Sequence, residues 1–254
     1  MAYIETNVDI PACADRPPLR WRGANRRRSG ATHAPVSPHD LELRVEGPEP
    51  APEPECPDCL RAEARRKEQG RQRTRIVRSV IELVGEGGYT AVGPCAIRDR
   101  GPVTFFEFRD VCADSEEAIL EAYNDVSRDL MEELEACGKG ISSREAHTAS
   151  CVSVLVDFAR TGGAAADLWF LAVRQASLEV RDRRAIVVAE IAELIALRAT
   201  GSRRKLKPTR DLMLLGGILE VLAGLRAERD LAGMRMALPS LVGHAWSTYA
   251  PLES

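Results

Sequence analysis

Arg75-Ile76-Val77-Arg78-Ser79-Val80-Ile81-Glu82-Leu83-Val84-Gly85-Glu86-Gly87-Gly88-Tyr89-Thr90 is the stretch whose reading decides the fold. Ile76, Val80, Leu83 and Val84 fall at i, i+4, i+7 and i+8, with Arg75, Arg78 and Glu82 on other faces, the pattern of an amphipathic helix packed on one side. Gly87 and Gly88 supply a positive-φ stop, and Tyr89 is placed to pack back on the helix just ended. A tight corner has to follow. The segment beyond it, ending Val103-Thr104-Phe105-Phe106-Glu107, then reads as the rest of a helix-turn-helix head that runs out near Tyr123.

The run from Arg75 to Tyr89 resembles the opening helix and glycine-aromatic corner of the TetR (tetracycline-repressor) family of transcription regulators. Glu116-Glu117-Ala118-Ile119-Leu120-Glu121-Ala122-Tyr123 resembles the start of that family's long fourth helix, and the distance between the two anchors is the one the family uses. Between them two registers compete. Without gaps, Ile97 takes the family's buried helix-two isoleucine, Val103-Thr104 its turn and recognition-helix cap, Phe108 its buried aromatic and Glu116 the acidic residue opening helix four. By local letters, Thr104-Phe105-Phe106-Glu107 resembles the family's Thr-Phe-Tyr element instead, at the cost of a gap on each side. The ungapped register is favoured for helix packing. In that register Ser115 replaces a lysine the family uses on a phosphate, and Cys112 replaces a core aromatic. Pro94 suits a helix first turn, and Pro102 is expected to hold Gly101 extended. These departures point to low DNA affinity.

A head of this kind needs cations, because phosphate neutralisation supplies most non-specific affinity while a few recognition-helix side chains read bases. The expected DNA-contacting residues are Arg71, Arg73, Arg98, Arg100, Thr104, Phe105, Phe106 and Arg109. From Arg61 to Arg78 the cations Arg61, Arg65, Arg66, Lys67, Arg71, Arg73, Arg75 and Arg78 face only Glu63 and Glu68, a basic arm leading into the first helix. A charge run alone is more often a solvated helix face; its position before a helix-turn-helix pattern raises the weight of a phosphate role.

Composition bounds the rest. The chain has 254 residues, 44% hydrophobic but only 5% aromatic, enough for one sizeable helical core or two small ones. A net charge of −3 means that attraction to DNA has to come from a local patch. Residues 1–60 hold most of the 15 prolines, together with the Arg26-Arg27-Arg28 triplet, and read as a disordered extension. No signal-peptide pattern is visible and apolar runs such as 185–197 are interrupted by Glu190 and Glu193, so a cytoplasmic protein with no membrane span is expected. Seven cysteines, at 13, 56, 59, 95, 112, 137 and 151, suit reduced thiols. Only Cys56-Pro57-Asp58-Cys59 has ligand spacing. It offers two of the four ligands zinc wants, and Cys13, His33 and His39 follow no recognised spacing, so neither a metal nor a cofactor is expected. His147 and His244 complete no triad, no Gly-rich phosphate loop occurs, and an enzyme is not expected.

After the head the chain reads as helices throughout. Ile119, Tyr123, Val126, Leu130 and Leu134 form one long stripe; others run through Cys151, Leu155 and Phe158, and through Val187, Ile191, Leu194 and Ile195. The expected fold is all-α: the extension, then a basic arm and three-helix helix-turn-helix head over residues 61–114, then a helical ligand-binding and dimerisation domain over 115–254. Gly216-Gly217-Ile218-Leu219-Glu220-Val221-Leu222-Ala223, with Leu238-Pro239-Ser240-Leu241-Val242 and Trp246-Ser247-Thr248-Tyr249, resembles the last two helices of many actinobacterial-type TetR regulators. That resemblance implies a homodimer joined through Leu215, Ile218, Leu219, Leu222, Leu241, Val242, Ala245, Trp246 and Tyr249; a purely intramolecular core is the alternative for the same residues.

The resemblance also implies that a small-molecule effector in the body alters two heads on a palindromic operator in double-stranded DNA. Expected effector-site residues are Tyr123, His147, Phe158, Trp169, Phe170, Arg174, Gln175 and Met213, with the aromatic pair beside Arg174 and Gln175 foremost, since pockets favour aromatic walls with few polar groups. Two functions are carried forward: a ligand-responsive repressor, and a TetR-like dimeric partner that has lost operator binding.

Overall fold

The structure, a computed structural model, describes residues 56–202 and 207–249. The Pro-rich segment with Arg26 to Arg28, Cys13, His33 and His39 lies outside the described residues. Helices follow in the order α1 (Pro57–Gly87), α2 (Pro94–Arg100), α3 (Phe105–Val111), α4 (Ser115–Ala136), α5 (Arg144–Thr161), α6 (Gly163–Phe170), α7 (Leu178–Thr200), α8 (Pro208–Ala227) and α9 (Leu231–Tyr249). Single 3-10 turns occupy Tyr89–Ala91 and Ala172–Arg174. There is no strand among the described residues, so the fold is all-α, and no helix there is long and apolar enough to cross a membrane.

Helix α1 starts earlier than expected. Pro57 at its first turn needs no amide partner and has its φ preset for a helix, so residues 57–60, expected in the extension, join the basic arm in one continuous helix of 31 residues. Its outer part, residues 61–67, is exposed throughout; its inner part buries Ile76, Val80, Leu83 and Val84 against α2, α3, α4 and α6. Gly88 ends it at φ 70, and its N–H donates to the Val84 carbonyl at 2.9 Å. In the head, Ile97 and Phe108 are buried at 0% and 1% exposure and Thr104 caps α3, which is the ungapped register. Cys112 fills the remaining core position at 1%. Gly101 is not extended before Pro102. It closes α2 at φ −87, ψ 8, its N–H donating to the Ile97 carbonyl at 2.8 Å. A Cβ there would lie 2.7 Å from Ser79 Oγ on α1, so glycine is what lets the turn approach that helix.

Helix α4 leads from the head into the body. It packs on α1 at one end and on α7 further along; α5 lies along α9, and α8 against α7 and α9. The centre of the body is aromatic. Tyr123 stacks on Trp169 at 6.3 Å between centroids, Phe158 meets Trp169 edge-on at 6.1 Å, and Phe170 sits 4.9 Å from Trp169. All four are 0% exposed, and the Trp169 Nε1–H donates to Ser127 Oγ at 3.2 Å.

The residues expected to join two copies face inward instead. Leu215, Ile218, Leu219 and Leu222 of α8, and Leu241, Val242, Ala245 and Tyr249 of α9, are buried in the chain's own core, and Trp246 is half-buried. An apolar stripe packs on whatever neighbour is at hand, and α5 and α7 are supplied by the same chain. Helix α9 also begins at Leu231, so Pro239 is inside it rather than in its first turn. The outer face of the pair is different in kind: Met213, Gly216, Gly217, Val221 and Gly224 on α8, with Met236 and Gly243 on α9, are exposed.

Because Trp169 joins the aromatic cluster to Ser127, Trp169→Ala should cost about 3–5 kcal/mol of folding stability in denaturant titration. A loss under about 1 kcal/mol would mean the cluster is not the packed centre described here.

Candidate functional site

The exposed end of the head is built on a cap. Thr104 Oγ1 accepts from the Glu107 amide at 3.2 Å, and the Thr104 amide donates to Glu107 Oε2 at 2.7 Å, a reciprocal pair that satisfies two otherwise free donors. The Thr104 amide and hydroxyl hold the Glu107 carboxyl below its ordinary pKa. Gln72 Nε2 reaches Glu107 Oε1 at 3.4 Å, tying α1 to the start of α3. With Phe108 anchored in the core, the two phenylalanines of the first turn face outward: Phe105 is 53% and Phe106 78% exposed, their rings edge-to-face at 6.0 Å. The Arg98 guanidinium lies 5.9 Å from the Phe105 ring centroid, a cation–π contact across the turn. Thr104, Phe105, Phe106 and Arg98 therefore share one surface.

Of the other expected cations, Arg73, Arg100 and Arg109 are spent on the scaffold. Arg73 pairs with Glu121 and, at 3.3 Å, with Asp125, both on α4. Arg100 forms a two-pronged pair with Glu86 at 2.7 and 2.6 Å, which raises the guanidinium pKa and lowers that of the carboxyl. Arg109 donates to the Ala113 carbonyl at 2.8 Å, where it closes the α3–α4 corner. On α3, Glu107 and Asp110 outnumber Arg109. Nothing in local spacing announces the pairs of Arg73 and Arg100, because their partners lie on other helices.

Cations remain on the arm. Arg61 with Asp58 at 3.4 Å, Lys67 with Glu63 at 2.6 Å and Arg71 with Glu68 at 3.4 Å are solvent-exposed pairs of the kind worth 1 kcal/mol or less, free to exchange a carboxylate for a phosphate. Arg65 and Arg66 have no carboxylate partner among the described residues. Through Gln72 this helix runs directly up to the cap of α3.

In the body, the eight expected effector residues do not come together. Tyr123, Phe158, Trp169 and Phe170 are the packed centre. Arg174 is on the surface in a two-pronged pair with Glu220 at 3.1 and 2.7 Å, Gln175 is exposed beside it, and Met213 is 74% exposed on α8. His147 sits at the α4–α5 corner, its ring occupying the space where a Gly138 Cβ would be. An open cleft of about 570 Å³ lies between α4 and α7 instead, lined by Asn124, Ser127, Arg128, Met131, Arg183, Val187 and Glu190. Arg183 donates to Asn124 Oδ1 at 2.8 Å across it. The Tyr123 hydroxyl, beside Ser127, and the Arg184 Nε are each buried without a hydrogen-bond partner, and burial pushes the Tyr123 pKa up to about 12. The signal missed in the sequence is the polar set Asn124, Ser127 and Arg128 woven into the apolar stripe of α4. Among the described residues, no group of three or more His, Cys, Asp or Glu could hold a metal.

Head and body meet at the Arg73 pairs with α4, at Glu116 and at α6. The Tyr89 hydroxyl donates to Glu116 Oε1, and Glu116 Oε2 accepts from the Ser177 amide at 2.9 Å, so one carboxylate links the head corner, the start of α4 and the start of α7. A Cβ on Gly85 would lie 2.6 Å from the Ala164 Cβ, so α1 and α6 touch nearly backbone to backbone. Arg226 of α8 donates to Asp167 at 2.8 Å and to the carbonyls of Ala159 and Gly163 at 2.8 and 2.6 Å, pinning the α5–α6 corner.

No protein-family model matches the sequence, and no curated protein matches it. Solved structures do. The fatty acid degradation regulator FadR from Bacillus halodurans superposes with a TM-score of 0.61 at 12% identity, over 69% of this chain and 94% of that one. The transcriptional regulator FadR from Bacillus subtilis, in complex with stearoyl-CoA, superposes with a TM-score of 0.59 at 16% identity, over 68% and 97%. The chain has the fold of these helical regulators. At such identities the likeness concerns the fold.

Removing the cap hydroxyl with Thr104→Ala should cost about 1 kcal/mol and fray α3. Because the folded-state pKa of Glu107 is depressed, its contribution is present above the ordinary carboxylate range and lost as pH falls through the lowered value. The wild-type advantage over Glu107→Gln in thermal melts should therefore shrink on acidification; an advantage that grows would show that the Glu107 carboxylate does not accept at the cap.

Proposed function

We propose that this chain is a ligand-responsive, DNA-binding transcription regulator of the TetR type, acting as a homodimeric repressor in the cytoplasm and not as an enzyme. The observation that carries this reading is the capped α3 with Phe105 and Phe106 held in solvent. A seven-residue helix gains nothing in folding from two exposed phenylalanines, whereas apolar side chains at a groove can read thymine methyl groups. In this reading Phe105, Phe106, Thr104 and Arg98 meet the bases. Arg61, Arg65, Arg66, Lys67 and Arg71 meet phosphates, Arg109 lies at the rim, and Arg73 and Arg100 hold the head in shape.

The dimer is assigned to the outer face of α8 and α9. Gly216, Gly217, Gly224 and Gly243 have open space where a Cβ would stand, so two helices of a second copy can approach closely beside Met213, Val221 and Met236. The effector is assigned to the α4–α7 cleft, where Arg128, paired with Asp125, and Arg183, 4.0 Å from Glu190, would exchange those carboxylates for an anionic group, with Met131 and Val187 beside an apolar one. Stearoyl-CoA, present in the Bacillus subtilis structure, has both and is the first compound to test.

A second reading, a dimeric partner that no longer binds an operator, is favoured by the pairing of Arg73 and Arg100 and the acidic balance of α3. Selection of genomic fragments by the dimer at moderate salt separates the two. The regulator reading expects a short palindrome, and affinity whose salt slope falls by about one unit for each of Arg65→Glu and Arg66→Glu. Phe105→Ala should alter the preferred sequence. Enrichment of no sequence by a folded dimer would give the second reading its place.

For the dimer, Met213→Asp should yield a folded monomer in sedimentation, while Leu219→Asp, at 1% exposure, should unfold the chain. A Met213→Asp protein that still sediments as the wild-type dimer would move the interface elsewhere.

A further inference from the structure

Cys56-Pro57-Asp58-Cys59 takes no part in the functions above, yet among the described residues it sets two exposed thiols at one helix end. Cys56 is the N-cap of the 31-residue α1, Pro57 is its first residue, and Leu60 donates its amide to the Cys56 carbonyl at 3.1 Å. Helical spacing puts Cys59 on the same end of the helix, and both thiols are exposed. We propose that Cys56 and Cys59 are a redox-active dithiol that exchanges with small-molecule or protein disulfides, Cys56 attacking and Cys59 resolving.

Three features favour this chemistry. A thiolate at a helix N-terminus faces free amide N–H groups and the positive end of the helix dipole. Here the amides of Cys59 and Asp58, then the Cys59 thiol, hold the Cys56 pKa below the ordinary thiol value. Asp58, the one nearby carboxylate in the first turn, is paired with Arg61. The remaining described thiols lack this combination. Cys95 is exposed without a neighbouring thiol, and Cys112 is buried with its pKa pushed up to about 12 by burial. Cys137 and Cys151 touch at 3.7 Å between sulfurs but are buried, and the Cys137 thiol together with burial raises the Cys151 pKa, which suits an inert core pair.

The exchange balances without a further reagent. The Cys56 thiolate attacks one sulfur of a disulfide RSSR, forming a mixed disulfide and releasing RS⁻. Cys59 then loses its proton and attacks the Cys56 sulfur, closing the Cys56–Cys59 bond and expelling the second RS⁻. The two protons of the original dithiol end on two RSH; the protein is oxidised by two electrons and the disulfide reduced. The new bond spans only the first turn of α1, at the outer end of the basic arm, and leaves every arm cation in place.

The test uses the reduced full chain and glutathione disulfide at neutral pH, with acid quench, alkylation and peptide mass mapping. The expected product is a Cys56–Cys59 disulfide, formed about tenfold or more faster than glutathione adds to Cys95. Cys59→Ser should hold glutathione stably on Cys56, and Cys56→Ser should lose the fast reaction; both replacements are on an exposed turn and leave the core untouched. The proposal is overturned by any of three results. Cys56 could react no faster than Cys95, its disulfide partner could be a cysteine other than Cys59, or stoichiometric zinc in the purified protein could protect both thiols and make the pair a ligand set.

Discussion

One face of one helix holds head and body together. Ile76, Val80 and Val84 of α1 bury themselves where α2, α3 and α4 converge, each contributing on the order of 1.5–3 kcal/mol. One residue beyond Val84, Gly85 brings the same helix against Ala164 of α6. The head has only two short helices besides α1, of seven residues each, and neither would be stable alone. A shift of α6 in the body therefore meets α1 directly, and a shift of α4 meets it through Arg73 and its two carboxylates. Glu116 adds a third route by holding Tyr89 and the start of α7. On the proposed function, these contacts would give effector binding in the α4–α7 cleft a physical path to α3.

The same economy explains the weak cationic character of α3. A head that spends Arg73, Arg100 and Arg109 on its own joints has fewer charges to offer a phosphate. On the proposed function, the exposed α1 arm offers them instead, on a helix tied to the cap of α3 through Gln72 and Glu107. Affinity would then depend on the arm and sequence preference on Phe105, Phe106 and Arg98.

Much of this was legible in the sequence because it rests on local rules. The stripe of α1, the glycine stop at Gly88, the cap at Thr104 and the buried Ile97 and Phe108 all follow from spacing or turn chemistry. What escaped is what depends on a third dimension. The stripe of α8 says that Leu215 to Leu222 are buried but not against which partner, and the chain itself supplies α5 and α7. Trp169 and Phe170 beside Arg174 and Gln175 look like a pocket wall in one dimension, but a helix end and a 3-10 turn send the aromatics inward and the polar pair outward. The ion pairs of Arg73 and Arg100 join residues far apart in the chain. Two signals were local nonetheless: Pro57 marks the start of α1, and the polar residues within the α4 stripe mark the cleft.

Hydrogen–deuterium exchange of the chain with and without a short random-sequence duplex at low salt tests most directly whether the arm and α3 form one DNA-binding surface. Slowed exchange over 61–71 and in the first turn of α3, with the aromatic centre of the body unchanged, is the expected result. Protection of neither segment under conditions where the duplex is bound would contradict it.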